Sequence, residues 1–180
     1  MNIGEEFVAS YLRHIKGCDF TQQNLYTVDT QGEIDVVGVN LKERKVYFCE
    51  VAIHLATGLQ YTKDGRPDNV RRLTEKIRKD ISYARTYFKD YSQHFMFWSP
   101  IVKTTGNINN QSRDIAEIGE NISREFNVNV EFIINEKFKD CLIEMRNYAR
   151  RMTPELKCPV LRLLQIEEHL RNHLEKQQAK

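Results

Sequence analysis

Apolar residues fall at helical spacing near the start of the chain, where Phe7, Val8, Tyr11, Leu12 and Ile15 line one side of a helix over about residues 3 to 16 that ends at Gly17. The period then shortens to two. Phe20 to Val28, Glu33 to Val39 and Val46 to His54 are rich in β-branched and aromatic residues. They are divided by Asp29-Thr30-Gln31-Gly32 and by the polar stretch Asn40 to Lys45, which predicts a three-stranded antiparallel meander. Residues 56 to 69, with Gly58, Gly65 and Pro67, read as a loop. Helical period returns from about Asn69 to Phe88 through Leu73, Ile77, Ile81, Ala84 and Phe88. A strand over His94 to Val102, a helix over 112 to 126 and a strand over Val128 to Ile134 follow, and a crossover of that kind predicts that the last two strands run parallel. A helix over 136 to 151 precedes Pro154 and Pro159, and a last helix over 160 to 176 carries Leu163, Ile166, Leu170 and Leu174 on one side. The expected fold class is α/β: a mixed sheet flanked by helices over residues 1–152, with a C-terminal helical extension over 153–180 that packs on the domain or serves dimerisation.

Composition narrows the classes. The chain has 180 residues, 41% hydrophobic and 29% charged, with eight Gly and four Pro, which excludes disordered and collagen-like readings. No apolar run approaches the roughly 20 residues of a membrane span, and the acidic start, Met-Asn-Ile-Gly-Glu-Glu, is unlike a signal peptide, so a soluble cytoplasmic protein without membrane partners is expected. Cys18, Cys49, Cys141 and Cys158 lack the close pairs of zinc sites and read as reduced thiols.

Carboxylates supply the candidate chemistry. Glu33, Asp35 and Val37 share one face of the second strand, and Glu50, Ala52 and His54 share one face of the third. Asp35 and Glu50 sit among apolar neighbours, where an ionised carboxylate is costly unless paired or bound to metal. They either lie on exposed faces or pair with Lys and Arg, or they hold a cation between them, for which Mg²⁺ is suited. On the first helix Glu5 borders the apolar stripe, whereas Glu6 points away.

The run Gly4-Glu5 in the first helix, then Gly32-Glu33-Ile34-Asp35-Val36-Val37, then Val46-Tyr47-Phe48-Cys49-Glu50-Val51, resembles the PD-(D/E)XK nuclease superfamily, in particular small bacterial endonuclease-like proteins, over roughly residues 3 to 90. The resemblance implies a restriction-endonuclease-like fold and a metal-dependent endonuclease that hydrolyses phosphodiester bonds in DNA. It implies Mg²⁺ or Mn²⁺ as cofactor, Asp35 and Glu50 as ligands, Glu5 as a third acidic group and the backbone carbonyl of Val51 as a further ligand. The family's lysine two residues after the glutamate is Ala52 here. Its replacement is sought in Lys76 on the following helix or in His54 as base or charge partner, with Lys63 in the loop a weaker candidate. The alternative is a nuclease fold that has lost catalysis and acts as a nucleic-acid-binding or interaction module.

Net charge is only +2, but residues 62 to 90 hold nine cationic side chains against five anionic, a local +4. Lys63, Arg66, Arg71, Arg72 and Lys79 in that stretch are the expected phosphate contacts to DNA. Tyr61, Tyr83 and Tyr87 offer either stacking or core packing. The Leu163, Ile166, Leu170, Leu174 stripe offers either a homodimer seam or a face packed on its own domain.

Overall fold

Burial runs unbroken along two neighbouring strands, and the rest of the architecture is built over them. The computed structural model describes residues 2–28, 32–59, 61–104 and 110–178. Helix α1 (Ile3–His14) leads to strands β1 (Phe20–Thr27), β2 (Gly32–Asn40) and β3 (Lys45–Val51). A short hairpin, β4 (Thr62–Lys63) and β5 (Arg66–Pro67), precedes helix α2 (Asn69–Tyr87), strand β6 (Ser92–Ser99) and helix α3 (Gln111–Phe126). Strand β7 (Val130–Ile134) and helices α4 (Glu136–Arg151) and α5 (Pro159–Gln178) complete the chain. Residues 29 to 31 of the predicted first turn lie outside the described residues.

The five long strands form one mixed sheet in the order β1-β2-β3-β6-β7. The first three pair antiparallel, and β3, β6 and β7 run parallel. The mixed α/β class and the parallel last pair agree with the sequence reading. The predicted loop over 56 to 69 contains the β4–β5 hairpin, and the third strand stops at Val51 rather than His54. Strand β3 sits in the middle of the sheet with both faces covered, which is why Val46 to Glu50 are all buried. Edge strand β1 alternates exposed and half-buried positions instead.

Alternation sends the sheet's apolar side chains to two cores. On one face Val37, Val39, Val46, Phe48, Phe95 and Phe97 pack with Leu73, Ile77, Ile81 and Ala84 of α2 and with Ile115, Ile118 and Ile122 of α3. On the other, Val36, Tyr47, Cys49, Met96 and Trp98 meet Phe7, Val8, Tyr11 and Leu12 of α1, Cys141, Met145 and Ala149 of α4, and Leu161 of α5. Helix α1 is capped by the Asn2 side chain, which accepts the Gly4 N–H at 3.1 Å, and carries Glu5 and Glu6 in its first turn, where the helix dipole favours anions. It lies so close to β2 that a Cβ on Gly38 would come within 2.8 Å of Leu12 Cδ1 and 3.0 Å of Cys18 Sγ. The four cysteines form no disulfide. Among the described residues no helix is long and apolar enough to cross a membrane.

One buried side chain holds the irregular chain beyond β3. Gln111, at the start of α3, accepts the N–H groups of Leu59 (3.1 Å) and Lys103 (3.0 Å) and donates to the carbonyls of Thr57 and Leu59, both at 3.0 Å. Removing it strands several main-chain groups away from water, at roughly 1–3 kcal/mol for each one left unsatisfied. Gln111→Ala is expected to lower the unfolding free energy by about 3 kcal/mol, measured by denaturant titration, and to speed amide exchange at Leu59 and Lys103 ahead of the central strands.

Candidate active site

The β2–β3 register pairs Val36 with Cys49 and Val37 with Phe48, so the next step toward the start of β2 sets Asp35 across from Glu50. Both alternate in phase with Val37 and Phe48 and therefore point to the α2 side of the sheet. There Lys76 of α2 reaches in. Its Nζ lies 3.2 Å from Asp35 Oδ1 and 3.4 Å from Oδ2, and it sits against Glu50 Oε2. Asp35 Oδ2 also accepts the Val51 N–H at 2.7 Å, which ties the carboxylate to the end of β3.

A third carboxyl completes the cluster. Asp80 lies one turn beyond Lys76 on α2 and is buried, as is Glu50. Burial pushes the Glu50 carboxyl well above the usual carboxylate range, the charges of Asp80 and Asp35 push it further, and Lys76 only partly opposes them. Asp80 is driven up in the same way, by burial first and with Asp35 adding to it, against the pull of Lys76. For Lys76 burial works against the charged form, but Glu50 and Asp35 outweigh it and hold the ammonium proton more tightly than usual. Burial and mutual repulsion thus favour the protonated forms of Glu50 and Asp80, while Glu50 and Asp35 favour the charged form of Lys76. Neither Glu50 oxygen is satisfied by a main-chain donor or a hydroxyl.

Access to solvent lies on both sides of Lys76. One hollow of about 170 Å³ is lined by Gly32, Asp35, Lys76, Lys79 and Asp80 among others. A second of the same volume is lined by Tyr61, Arg72, Glu75, Lys76 and Lys79. Tyr61 is held there by Asn69, whose Oδ1 accepts the Tyr61 N–H at 3.0 Å while its Nδ2 donates to Asp114 at 2.7 Å. Larger hollows of about 490 and 680 Å³ lie between α2 and α3 and beside α1, and neither contains the buried carboxylates.

The other expected residues take different positions. Glu5 is buried, but its carboxylate accepts from Asn2 and, at 2.8 Å, from Asn24 of β1; Asp35, Glu50 and Lys76 are not among these partners. Helix α1 covers the opposite face of the sheet from α2, which separates Glu5 from the carboxylates that point to α2. His54 does not share a strand face with Glu50, because β3 ends at Val51; it is exposed in the turn closed by the Gly58 N–H on the His54 carbonyl at 3.1 Å. Ala52 is buried in the α2-side core. Lys63 and Arg66 are exposed on the β4–β5 hairpin. Arg71 is engaged by Asp68 and by Glu75 at 3.0 Å, whereas Arg72 and Lys79 border the hollows beside Lys76. Tyr61 and Tyr83 pack against the core and Tyr87 is exposed.

Asp80 escaped the sequence reading, which counted it with the solvated charges of its helix. Its signal was its place four residues after Lys76 and beside Ile77, Ile81 and Ala84, on the buried side of the helix. Among the described residues no three His, Cys, Asp or Glu side chains are grouped to hold a metal ion. The chain matches no family model, no curated protein and no solved structure.

The raised carboxyls have a consequence for stability. A group whose pKa is higher in the folded than in the unfolded chain contributes stability that is present below the unfolded value and lost as pH rises through the folded one. Asp80→Asn removes one such group, so the variant is expected to gain on the wild type as pH climbs out of the ordinary Asp range toward neutrality. The gain should approach about 1.4 kcal/mol per pH unit inside that window. Urea unfolding at pH 4, 5.5 and 7 in the presence of a chelator measures it; a difference independent of pH would mean that Asp80 titrates normally.

Proposed function

We propose that the chain is a metal-dependent nuclease of the PD-(D/E)XK kind acting on DNA. The observation that carries the reading is Lys76 placed between Asp35 and Glu50 at the end of the β2–β3 pair. An ammonium there meets the need created by Ala52: it comes from α2 instead of from β3, and it arrives at the carboxylates themselves. The motif order from Gly4-Glu5 through Glu50 supports the same reading, as does the meander followed by a helix and a parallel strand.

The donor set fits a hard divalent cation. Mg²⁺ takes oxygen ligands and needs only one or two carboxylates, its remaining positions being filled by water and phosphate. Glu50, with oxygens that no main-chain donor satisfies, and Asp35 would hold it, together with the Val51 carbonyl. Such an ion, when bound, polarises a phosphate and lowers the pKa of a bound water. Around it the protein's own groups have separate tasks. Asp35 is oriented by the Val51 N–H. Lys76 supplies fixed positive charge where charge develops on the phosphate, an effect worth roughly 10²–10³-fold in rate when one such donor is removed. Asp80 holds Glu50 in place and keeps the cluster acidic.

Arg72 and Lys79 beside the site, with Lys63 and Arg66 on the hairpin, form the basic approach for a phosphate backbone. Arg71 contributes less, because Asp68 and Glu75 already neutralise it.

Incubation of the chain with supercoiled plasmid is expected to give nicked and linear products with Mg²⁺ or Mn²⁺ and none with a chelator. Asp35→Ala and Glu50→Gln should abolish cleavage, and Lys76→Met should lower it by about 10²-fold or more while DNA is still retained in a filter-binding assay. Cleavage that survives Asp35→Ala would refute the assignment, and salt-dependent binding without cleavage under any metal would favour the reading as a binding module.

Binding should also weaken with salt. Replacing Arg72 or Lys79 by Ala is expected to reduce the slope of log affinity against log salt by about 1 for each phosphate contact removed. Arg71→Ala should change it by much less.

A further inference from the structure

Neighbouring residues of a strand point to opposite faces of its sheet, yet Gln23 and Asn24 of β1 both reach α1. Gln23 Nε2 donates to Glu6 Oε2 at 2.7 Å, and Asn24 Nδ2 donates to Glu5 Oε2 at 2.8 Å. The backbone makes this possible, because Asn24 has a φ of 50°, in the left-handed region that strand residues seldom enter.

The disturbance crosses to β2. The β1–β2 ladder pairs Gln23 with Val36 and Leu25 with Ile34 but leaves out Asn24 and Asp35 between them, and the β2–β3 ladder stops at Val36. Val36 packs on the α1 side and Ile34 on the α2 side, although unbroken alternation would keep residues two apart on one face. Strand β2 thus switches face at Asp35. Ile34 and Asp35 accordingly both border the hollow beside Lys76 and Asp80.

The first turn of α1 braces this break from both sides. Glu5 is buried and lies outside the carboxylate cluster; one of its oxygens accepts from Asn2, the cap of α1, and the other from Asn24. Gly4 lies so close to the chain at the end of β3 that a Cβ there would come within 2.2 Å of Ile53 Cγ1 and 3.2 Å of Val51 Cγ1. The Val51 N–H is in turn the donor to Asp35 Oδ2.

We propose that Glu5 is a positioning residue for Asp35: by holding Asn24 left-handed, it keeps the break in β1 and β2 that turns the Asp35 carboxylate toward Lys76. A residue with a side chain is disfavoured in that conformation, even asparagine, unless something anchors it. A buried carboxylate that accepts the Asn24 amide is such an anchor. The Gly4-Glu5 pair then has a task that needs no contact with metal. The catalytic weight of Asp35 rests on the nuclease reading, whereas its placement by Glu5 does not.

Two routes to the same break test this. Glu5→Ala removes the anchor, and Asn24→Gly added to it supplies a residue that holds a positive φ unaided. Asn24→Val alters only an exposed position and leaves α1 intact, but a β-branched residue resists a positive φ. The Val51 amide reports on Asp35, its acceptor. Its exchange rate by NMR, taken as a ratio to that of Phe97 in β6 to cancel a general loss of stability, is expected to rise about tenfold in Glu5→Ala and in Asn24→Val, the weight of one hydrogen bond to a charged group. The Glu5→Ala, Asn24→Gly double variant should return it to the wild-type ratio. Plasmid cleavage with Mg²⁺ should fall and recover in the same order, through kcat rather than KM. A Val51 ratio that either single variant leaves unchanged would overturn the proposal. So would a loss that Asn24→Gly does not repair, the result expected of a metal ligand or of a mere support for α1. The amide readout needs neither metal nor DNA, so it decides the proposal even where the wild type cuts nothing, a result that would refute the nuclease reading alone.

Discussion

Carboxylates taken out of water must share a cation or a proton, and three of them meet at the end of the β2–β3 pair with one ammonium among them. Asp35 and Glu50 arrive there through strand register, Lys76 and Asp80 through the four-residue spacing of α2. Neither element satisfies the cluster alone. Without α2 the two strand carboxylates would face each other across adjacent strands; without the strands Lys76 would have no reason to give up hydration. This mutual requirement fixes how α2 sits on the sheet more sharply than its apolar stripe does, since an apolar contact tolerates sliding and an ion pair against Glu50 does not.

The irregular segments follow from that constraint. The chain between β3 and α2 is largely irregular, and buried amides fix its path. Gln111 bonds both sides of the Thr57–Leu59 turn, and Asn69 links Tyr61 to Asp114 of α3. The cost of leaving buried amide groups unpaired makes such links stronger determinants of loop path than the loop's own composition. The opening beside Tyr61 borders the residue that Asn69 holds, whereas the other is walled by β1, β2 and α2.

Much of the fold was legible in the sequence because its signals are local. The β-branched and aromatic runs over 33–39 and 46–50, the four-residue rhythm of Leu73, Ile77 and Ile81 and the strand-helix-strand order after residue 90 each lie within one element or between neighbours. Asp35 and Glu50 were legible too, as charges inside apolar strand runs, and Lys76 was nominated as a stand-in for the lysine that Ala52 replaces. Asp80 obeys the same rule, but a helix dense in charge hid it. Glu5 and His54 show the limit from the other direction. Residue type and spacing nominate them, yet which face α1 covers and where β3 stops are set by packing across the sheet, which neither element records by itself. The amide links of Gln111 and Asn69 join residues up to 54 positions apart and have no pattern in the sequence at all.

The position of the ammonium bears on how such a site works. A lysine on β3, two residues after Glu50, would be aligned by the strand and share its rigidity. Lys76 instead crosses from a helix, so its ammonium is positioned by the carboxylates it neutralises. Three carboxyls against one ammonium leave the cluster short of positive charge unless protons make up the difference. That shortage is why Glu50 and Asp35 hold the Lys76 proton more tightly than an ordinary lysine does, and why burial drives Glu50 and Asp80 toward the protonated form. An ammonium carried by α2 is thus held by the same ion pairs that seat the helix on the sheet, whereas a strand-borne lysine would be placed by its backbone.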